Sequence, residues 1–186
     1  MQTEVDKALS VLNEAQTLLY PTDTVWGLGC DAKNPEAVSK IYTIKQREES
    51  KALICLVSSM EMLQNYVGQL SEDLKTLIET AERPTTIIYT TPTGFAQNLL
   101  AEDGSIAIRL VRDGFAHELI ETLGSPIVST SANISGEPTP KTFKEIDTRV
   151  LKSVDYVVNL PKENSTSVPS RIIKYNSDGS VTILRD

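Results

Sequence analysis

The chain has 186 residues, a net charge of −7 and a sequence pI of about 4.8. Its hydrophobic content of 40% and mean hydropathy of −0.16 are ordinary for a globular protein, and we expect one domain over residues 1–186. A protein that attracts nucleic acid through general charge would be basic, so any polyanion site here must be a local cationic pocket. The sequence shows no signal-peptide pattern and no apolar run of the ~20 residues that span a bilayer, so we expect a cytoplasmic protein.

Helix and strand patterns alternate from the start of the chain. Val5, Leu9 and Leu12 lie on one face of a first predicted helix. Residues 17–20 have the pattern of a strand. The strand runs into residues 21–29, which we predict to be a loop because they are rich in hydroxyl side chains and glycine.

A second helix has clear boundary signals. Asn34 suits the N-cap, and Pro35 suits the first helical position. Lys45 and Arg47 come at its C-terminal end, where positive charge suits the helix dipole. Such a Lys-x-Arg pair would be an ordinary solvated helix end if it stood alone.

The alternation continues to the C-terminus. We predict further strands at 53–57, 86–89, 105–111, 127–130 and 155–160, helices around 70–78, 115–123 and 143–150, and a closing hairpin of residues 171–175 and 180–184. This order is typical of a single α/β domain with a twisted, mixed β-sheet flanked by helices. Because ligands of open α/β sheets bind beyond the ends of strands, we expect the site just after strands, at residues 22–24 and 129–133.

Residues 129–133, Ser-Thr-Ser-Ala-Asn, carry the strongest chemical signal when they are read with Lys45 and Arg47. Two fixed cations beside hydroxyl and amide groups suit a phosphate-handling site that lacks a glycine-rich P-loop. Taken singly, Ser and Asn at a strand end more often bond to the local backbone than to a ligand. His117, the single histidine, has no motif around it, and we expect a structural role for it.

Four motifs occur in a fixed order along the chain. They are residues 20–29 (Tyr-Pro-Thr-Asp-Thr-Val-Trp-Gly-Leu-Gly), the pair Lys45 and Arg47, residues 106–109 (Ile-Ala-Ile-Arg) and residues 129–136 (Ser-Thr-Ser-Ala-Asn-Ile-Ser-Gly). Together they resemble the YrdC-like L-threonylcarbamoyladenylate synthase family, over about residues 17–185. The resemblance implies the YrdC-like fold, in a single domain without the C-terminal domain of the family's longer members.

The resemblance also implies an activity. L-threonine, bicarbonate or CO2, and ATP would give threonylcarbamoyl-AMP and pyrophosphate, for threonylcarbamoyladenosine modification of tRNA. Separate tRNA-modification proteins would transfer the threonylcarbamoyl group, and direct RNA contact is a further possibility. Mg²⁺ is expected with ATP; the sequence shows no dedicated carboxylate site for it, and Asp23 is a loose candidate.

Site residues follow from the same resemblance. It implies that L-threonine is held by Thr24, Arg109, Ser129 and Ser170. It implies that ATP is held by Arg47, Lys51, Ser105, Ser131, Thr139 and Arg185. The implied catalytic set, which contacts the phosphates and the transition state, is Lys45, Arg47, Ser131 and Asn133.

Two other functions stay open on the sequence. One is the carbamoyl-AMP activity of longer carbamoyl-transfer maturation proteins, whose zinc-finger and acylphosphatase segments this sequence lacks. The other is a diverged paralogue that binds RNA or nucleotide without synthase activity, against which the acidic pI counts. The chain departs from the family pattern at Glu48, Ala52, Leu56 and Arg171, and we hypothesise that the hydroxyl-rich residues 162–169 form a lid.

Overall fold

The computed structural model describes residues 1–48, 53–161, 168–176 and 178–186. Within these residues, short 3-10 turns occupy Gln97–Leu99 and Phe143–Glu145. The helices and strands, in chain order, are α1 (Gln2–Asn13), β1 (Leu18–Pro21), β2 (Trp26–Gly29), α2 (Pro35–Lys45), β3 (Ile54–Val57), α3 (Met60–Val67), α4 (Glu72–Glu79), β4 (Thr85–Tyr89), β5 (Ile106–Leu110), α5 (Gly114–Leu123), β6 (Ile127–Ser131), α6 (Thr148–Ser153), β7 (Tyr156–Val157), β8 (Arg171–Tyr175) and β9 (Val181–Arg185).

The strands form one mixed sheet in the order β7-β1-β2-β6-β3-β5-β4-β8-β9. The pairs β1–β7, β3–β5 and β4–β8 are parallel, and the other neighbours are antiparallel. The prediction of an α/β fold with a mixed sheet is therefore confirmed. The order also makes neighbours of strands that are far apart in sequence, since β6 lies between β2 and β3.

Helices cover both faces of the sheet. On one face, α1 and α5 pack on side chains such as Leu18, Tyr20 and Leu56. On the other, α2, α3, α4 and α6 pack on a second core that includes Leu19 and Leu28. The alternation of residues 18, 19 and 20 between the two cores is the period-2 pattern of a strand that is buried on both faces.

Strand β2 corrects the prediction that residues 21–29 form a loop throughout. A Cβ on either of its two glycines would meet neighbouring atoms, and the contact would be much closer at Gly29 than at Gly27. A Cβ on Gly29 would lie 2.5 Å from the carbonyl oxygen of Val128 and 2.6 Å from the ring of Tyr20. The glycines that suggested a loop are thus a packing requirement of a central strand.

Other element boundaries also differ from prediction. Helix α3 was missed, although Ser59 caps its first turn by accepting a hydrogen bond from the N–H of Met62. The predicted helix around 143–150 is a 3-10 turn followed by α6, and the predicted strand 155–160 is shortened to β7. The closing hairpin is confirmed as β8 and β9. Among the described helices, none is both long enough and apolar enough to cross a bilayer.

Candidate active site

A cavity of about 190 Å³ opens on one face of the sheet. Six of the described residues that line it carry hydroxyl groups, three are arginines, and none is Asp or Glu. In a protein of net charge −7, this is a local concentration of positive charge. We call it the arginine cavity. Its polar lining residues are Thr24, Arg47, Arg109, Ser129, Thr130, Ser131, Thr139, Ser170 and Arg185.

Strand register brings two of these arginines together. Cross-strand partners lie on the same face of a sheet. Arg109 on β5 lies opposite Thr86, Thr86 lies opposite Ile172, and Ile172 lies opposite Arg185. Arg109 and Arg185 therefore point to the same face, although 76 positions separate them in the sequence.

The arginine cavity lies on the face that α1 and α5 pack against. Leu56, a member of that core, is the cross-strand partner of Arg109. Ser129 and Ser131 belong to β6 itself, two positions apart, so they share one face. The predicted strand 127–130 already contained Ser129, and the structure extends it by one residue to Ser131, so only residues 132 and 133 follow the strand end. Thr24, in contrast, follows β1 as predicted.

Arg109 is held in the wall of the cavity. Its side chain is 4% exposed, and Nη1 donates to Oδ2 of Asp23 over 2.5 Å. A buried guanidinium requires an anion or several acceptors, and Asp23 supplies the anion. In the sequence analysis, Asp23 was a candidate only for metal binding. Its position one residue before Thr24 was the signal that links it to the site.

The loop that carries Asp23 is fixed by a hydroxyl group. Oγ1 of Thr22 accepts hydrogen bonds from the backbone N–H groups of Thr24 and Val25 at 3.0 and 3.2 Å. The same hydroxyl donates to the carbonyl oxygen of Val25 over 2.7 Å. Thr22 is thus a turn-forming residue. The turn directs Thr24 into the cavity.

Lys45 does not line the arginine cavity. Its side chain is 1% exposed, and Nζ donates to the carbonyl oxygens of Ser131 at 2.6 Å and Asn133 at 2.8 Å. Its own carbonyl oxygen accepts from the N–H of Ser135 over 2.8 Å. Burial, together with the nearby charge of Arg47, lowers the pKa of Lys45 to about 8. Through these hydrogen bonds, Lys45 stabilises the turn that follows β6.

Asn133 supports the same turn. Its side-chain N–H group donates to the carbonyl oxygens of Ile134 at 2.9 Å and Glu137 at 2.7 Å. Asn133 is not among the residues that line the cavity. Of the implied catalytic set, the structure thus places Arg47 and Ser131 in the cavity and Lys45 and Asn133 behind it.

The C-terminal hairpin closes one side of the cavity. Nη2 of Arg185 donates to the carbonyl oxygen of Ser170 over 2.7 Å, and the Ser170 hydroxyl lies 2.8 Å from that of Thr86. Burial, together with the charge of Arg109, lowers the pKa of Arg185 from its usual value. Arg171 faces away from this group, with Nε donating to Asp186 over 3.0 Å.

One implied ATP contact, Ser105, does not line the arginine cavity. It is buried directly before β5, where its N–H donates to Asp103. Lys51 lies outside the described residues, as do Ala52 and most of the hypothesised lid, residues 162–167. Trp26 is a packing residue whose ring meets that of Phe143 edge-on at 4.9 Å.

A metal site built from side chains is not evident in the described part of the chain. No three His, Cys, Asp or Glu residues there are grouped so that they could hold an ion. Asp23, which precedes Thr24 of the cavity lining, is paired with Arg109. The described side chains therefore do not fit a Mg²⁺ ion held by the protein.

The fold and the site define an α/β protein with an arginine-lined cavity on one face of a nine-stranded mixed sheet. The family model Sua5_yciO_yrdC, described as "Telomere recombination", matches residues 10–186. The chain belongs to this Sua5/YciO/YrdC family, which confirms the resemblance inferred from its motifs.

Named relatives and solved structures agree with this assignment. A Photobacterium profundum protein is 34% identical over 170 residues, and the match covers 88% of this chain and 92% of that protein. A Stenotrophomonas maltophilia protein is 32% identical over 158 residues, and the match covers 83% of this chain and 85% of that protein. Both are named threonylcarbamoyl-AMP synthase.

Among solved structures, P. abyssi Sua5 complexed with L-threonine matches all of this chain with a TM-score of 0.89 at 24% identity. This chain covers 54% of that protein, so it spans about half its length. E. coli YciO matches with a TM-score of 0.83 at 22% identity, covering 100% of this chain and 90% of its own. These likenesses confirm the YrdC-like fold.

Proposed function

We propose that this protein is an L-threonylcarbamoyladenylate synthase, which makes threonylcarbamoyl-AMP and pyrophosphate from L-threonine, bicarbonate and ATP. One observation carries the proposal. The arginine cavity combines three arginines with six hydroxyl-bearing residues, and no Asp or Glu is among its described lining. Such a cavity suits the proposed substrates, because ATP and bicarbonate are anions and L-threonine carries a carboxylate. The names of the relatives and the threonine complex of P. abyssi Sua5 support it.

Arg109 is the proposed partner of the threonine carboxylate. A guanidinium can bind a carboxylate through two parallel hydrogen bonds, and burial strengthens such a contact. Thr24, Ser129 and Ser170 place hydroxyl groups around the same arginine in the cavity lining. These hydroxyls can orient the amino and hydroxyl groups of threonine without adding charge.

We propose that the phosphates of ATP bind to the remaining arginines and hydroxyl groups of the cavity lining. Arg47 and Arg185 supply charge, and Ser131 and Thr139 supply hydrogen bonds. Lys51 stays a predicted ATP ligand. Mg²⁺ is proposed to arrive with ATP, held by phosphate oxygens and water, and no step depends on a protein ligand to it.

The reaction requires that the substrates are held in position and that the negative charge on the phosphate oxygens is stabilised. The amine of threonine adds to CO2 and loses a proton, which gives a carbamate. A carbamate oxygen bonds to the α-phosphorus of ATP, and the bond from that phosphorus to the bridging oxygen breaks, with the electron pair leaving on pyrophosphate. Negative charge shifts onto the phosphate oxygens, where the fixed guanidinium groups stabilise it. Lys45 and Asn133 act indirectly, because they hold the turn after Ser131.

The product would serve the modification of tRNA. Its acyl phosphate linkage is reactive, so a separate protein that accepts the threonylcarbamoyl group is the proposed partner. Direct RNA contact stays a prediction.

Pyrophosphate release tests the proposed function. With ATP and bicarbonate, we expect release to depend on L-threonine. Arg47→Ala should reduce it at least ~100-fold, because one fixed cation on a transferring phosphoryl group is worth several kcal/mol. Arg112→Ala is the matched control, since this arginine donates to the carbonyl oxygens of Ile78 and Glu79 outside the cavity. Pyrophosphate release that ignores threonine, or that survives Arg47→Ala, would contradict the proposal.

A further inference from the structure

Asp23 takes up one of the Arg109 donors that an incoming carboxylate would use. Its Oδ2 accepts from Nη1 of Arg109 over 2.5 Å, and Arg109 is the buried arginine of the cavity. A guanidinium that is already paired with one carboxylate has fewer donors to offer a second one. The substrate must therefore share Arg109 with Asp23 or displace it.

The two partners of the Asp23–Arg109 ion pair differ in exposure, so the pair can separate by movement of one side chain. The Asp23 side chain is 34% exposed, whereas that of Arg109 is 4% exposed. The backbone on the C-terminal side of Asp23 is fixed by the Thr22 hydroxyl, which bonds to the N–H groups of Thr24 and Val25. The more exposed Asp23 side chain is thus the partner that can move when the pair opens, while the buried Arg109 stays in the cavity wall.

A second cavity lies where the released carboxylate would go. Asp23 lines this neighbouring cavity of about 350 Å³ and does not line the arginine cavity. The described lining of this second cavity carries both signs of charge, with Arg83 and Arg112 beside Glu82 and Asp113. Asp23 therefore lies between the arginine cavity and a second cavity of mixed charge, with its carboxylate bonded to Arg109 of the first.

We propose that Asp23 is an internal competitor for Arg109, which neutralises the buried guanidinium until the carboxylate of the amino-acid substrate replaces it. This inference rests on the proposed function, and it makes Asp23 a positioning residue that sets the affinity for that substrate. The competition leaves only a fraction of the free protein with Arg109 available, and the apparent Kd is raised by the inverse of that fraction. The same contact keeps the empty protein stable, because it prevents an unpaired buried charge.

The variant Asp23→Asn separates these effects, since it keeps the shape and removes the charge. We expect its Kd for L-threonine, measured by calorimetry, to fall about two- to fivefold, the usual effect of a partly exposed ion pair. Its Kd for ATP should stay within about twofold of the wild-type value. The ligand-free variant should also melt at a lower temperature than the wild type, while L-threonine should raise its Tm by more.

Asp113→Asn is the matched control, because Asp113 is also an aspartate of the second cavity and its removal changes the net charge equally. If both variants bind L-threonine more tightly by the same factor, the cause is general charge and the proposal is overturned. Unchanged or weaker threonine binding by Asp23→Asn, in a wild type that binds threonine and releases pyrophosphate, also overturns it and leaves the synthase assignment intact. A folded wild type that neither binds L-threonine nor releases pyrophosphate would overturn both.

Discussion

At the scale of single residues, two similar cationic side chains, Lys45 and Arg47, make different contacts in the folded protein. The pair Lys45 and Arg47 looks from the sequence like two equivalent phosphate ligands. The structure separates them, since Arg47 lines the cavity and Lys45 is buried against two backbone carbonyls. One residue intervenes, and it is Gln46, whose φ of 49° ends α2 in a left-handed turn. That turn changes the direction of the chain between the two cations.

The buried position of Lys45 predicts a particular pH dependence. The pKa is about 8 in the folded protein, below the ordinary value of 10.5 that we assign to the unfolded chain. Between these values the unfolded chain binds more protons, so this residue makes the free energy of unfolding rise with pH. In Lys45→Met this rise is absent. We therefore expect the stability difference between wild type and variant, measured by urea unfolding, to grow in favour of the wild type as the pH rises from about 8 to about 10.

Lys75→Met is the control for that series, because Lys75 forms a surface ion pair with Glu72. Its effect on unfolding should stay below about 1 kcal/mol across the range. An equal pH dependence in wild type and Lys45→Met would contradict the buried, carbonyl-bonded position of the Lys45 ammonium group.

At the scale of elements, the sequence was most informative where a local signal marks a boundary. Helix α2 begins where Asn34 and Pro35 predicted, with Oδ1 of Asn34 accepting from the N–H groups of Glu36 and Ala37. Strand β2 was missed because its glycines are imposed by neighbours from other parts of the chain. The clash that forbids a Cβ at Gly29 involves Val128, about 100 residues away, and no local pattern records it.

Strand β2 supplies a direct test of that explanation. Gly29→Ala places a methyl group 2.5 Å from a backbone oxygen, so we expect a loss of about 1–3 kcal/mol or more in the free energy of unfolding. Gly27→Ala is the matched control on the same strand. Its methyl group would lie 3.2 Å from side-chain atoms of Ser129 and Thr22, which can shift, so it should cost less stability. Equal stability of Gly29→Ala and wild type by chemical denaturation would show that the strands are less closely packed.

At the scale of the whole molecule, the site is the product of non-local strand pairing. Individual strands and the α/β class follow from apolar runs and turn signals, but sheet order does not, because β4 pairs with β8 across more than 80 residues. That pairing places Arg185 on the same face of the sheet as Arg109, and β6 brings Ser129 and Ser131 to this face. The motif resemblance identified these residues, whereas patterns in the sequence alone could not have joined them. The partner of Arg109, Asp23, became evident only from the folded chain.

The most direct test of this account is the product formed from ¹³C-bicarbonate, ATP and L-threonine, identified by mass spectrometry. If the protein is the proposed synthase, we expect a nucleotide that carries one ¹³C atom, the threonine and the AMP moiety, formed in step with pyrophosphate. We also expect that omission of threonine abolishes this nucleotide. Measurable ATP binding without any labelled nucleotide would contradict the proposed synthase activity, and would show that the arginine cavity holds nucleotide for a purpose other than synthesis.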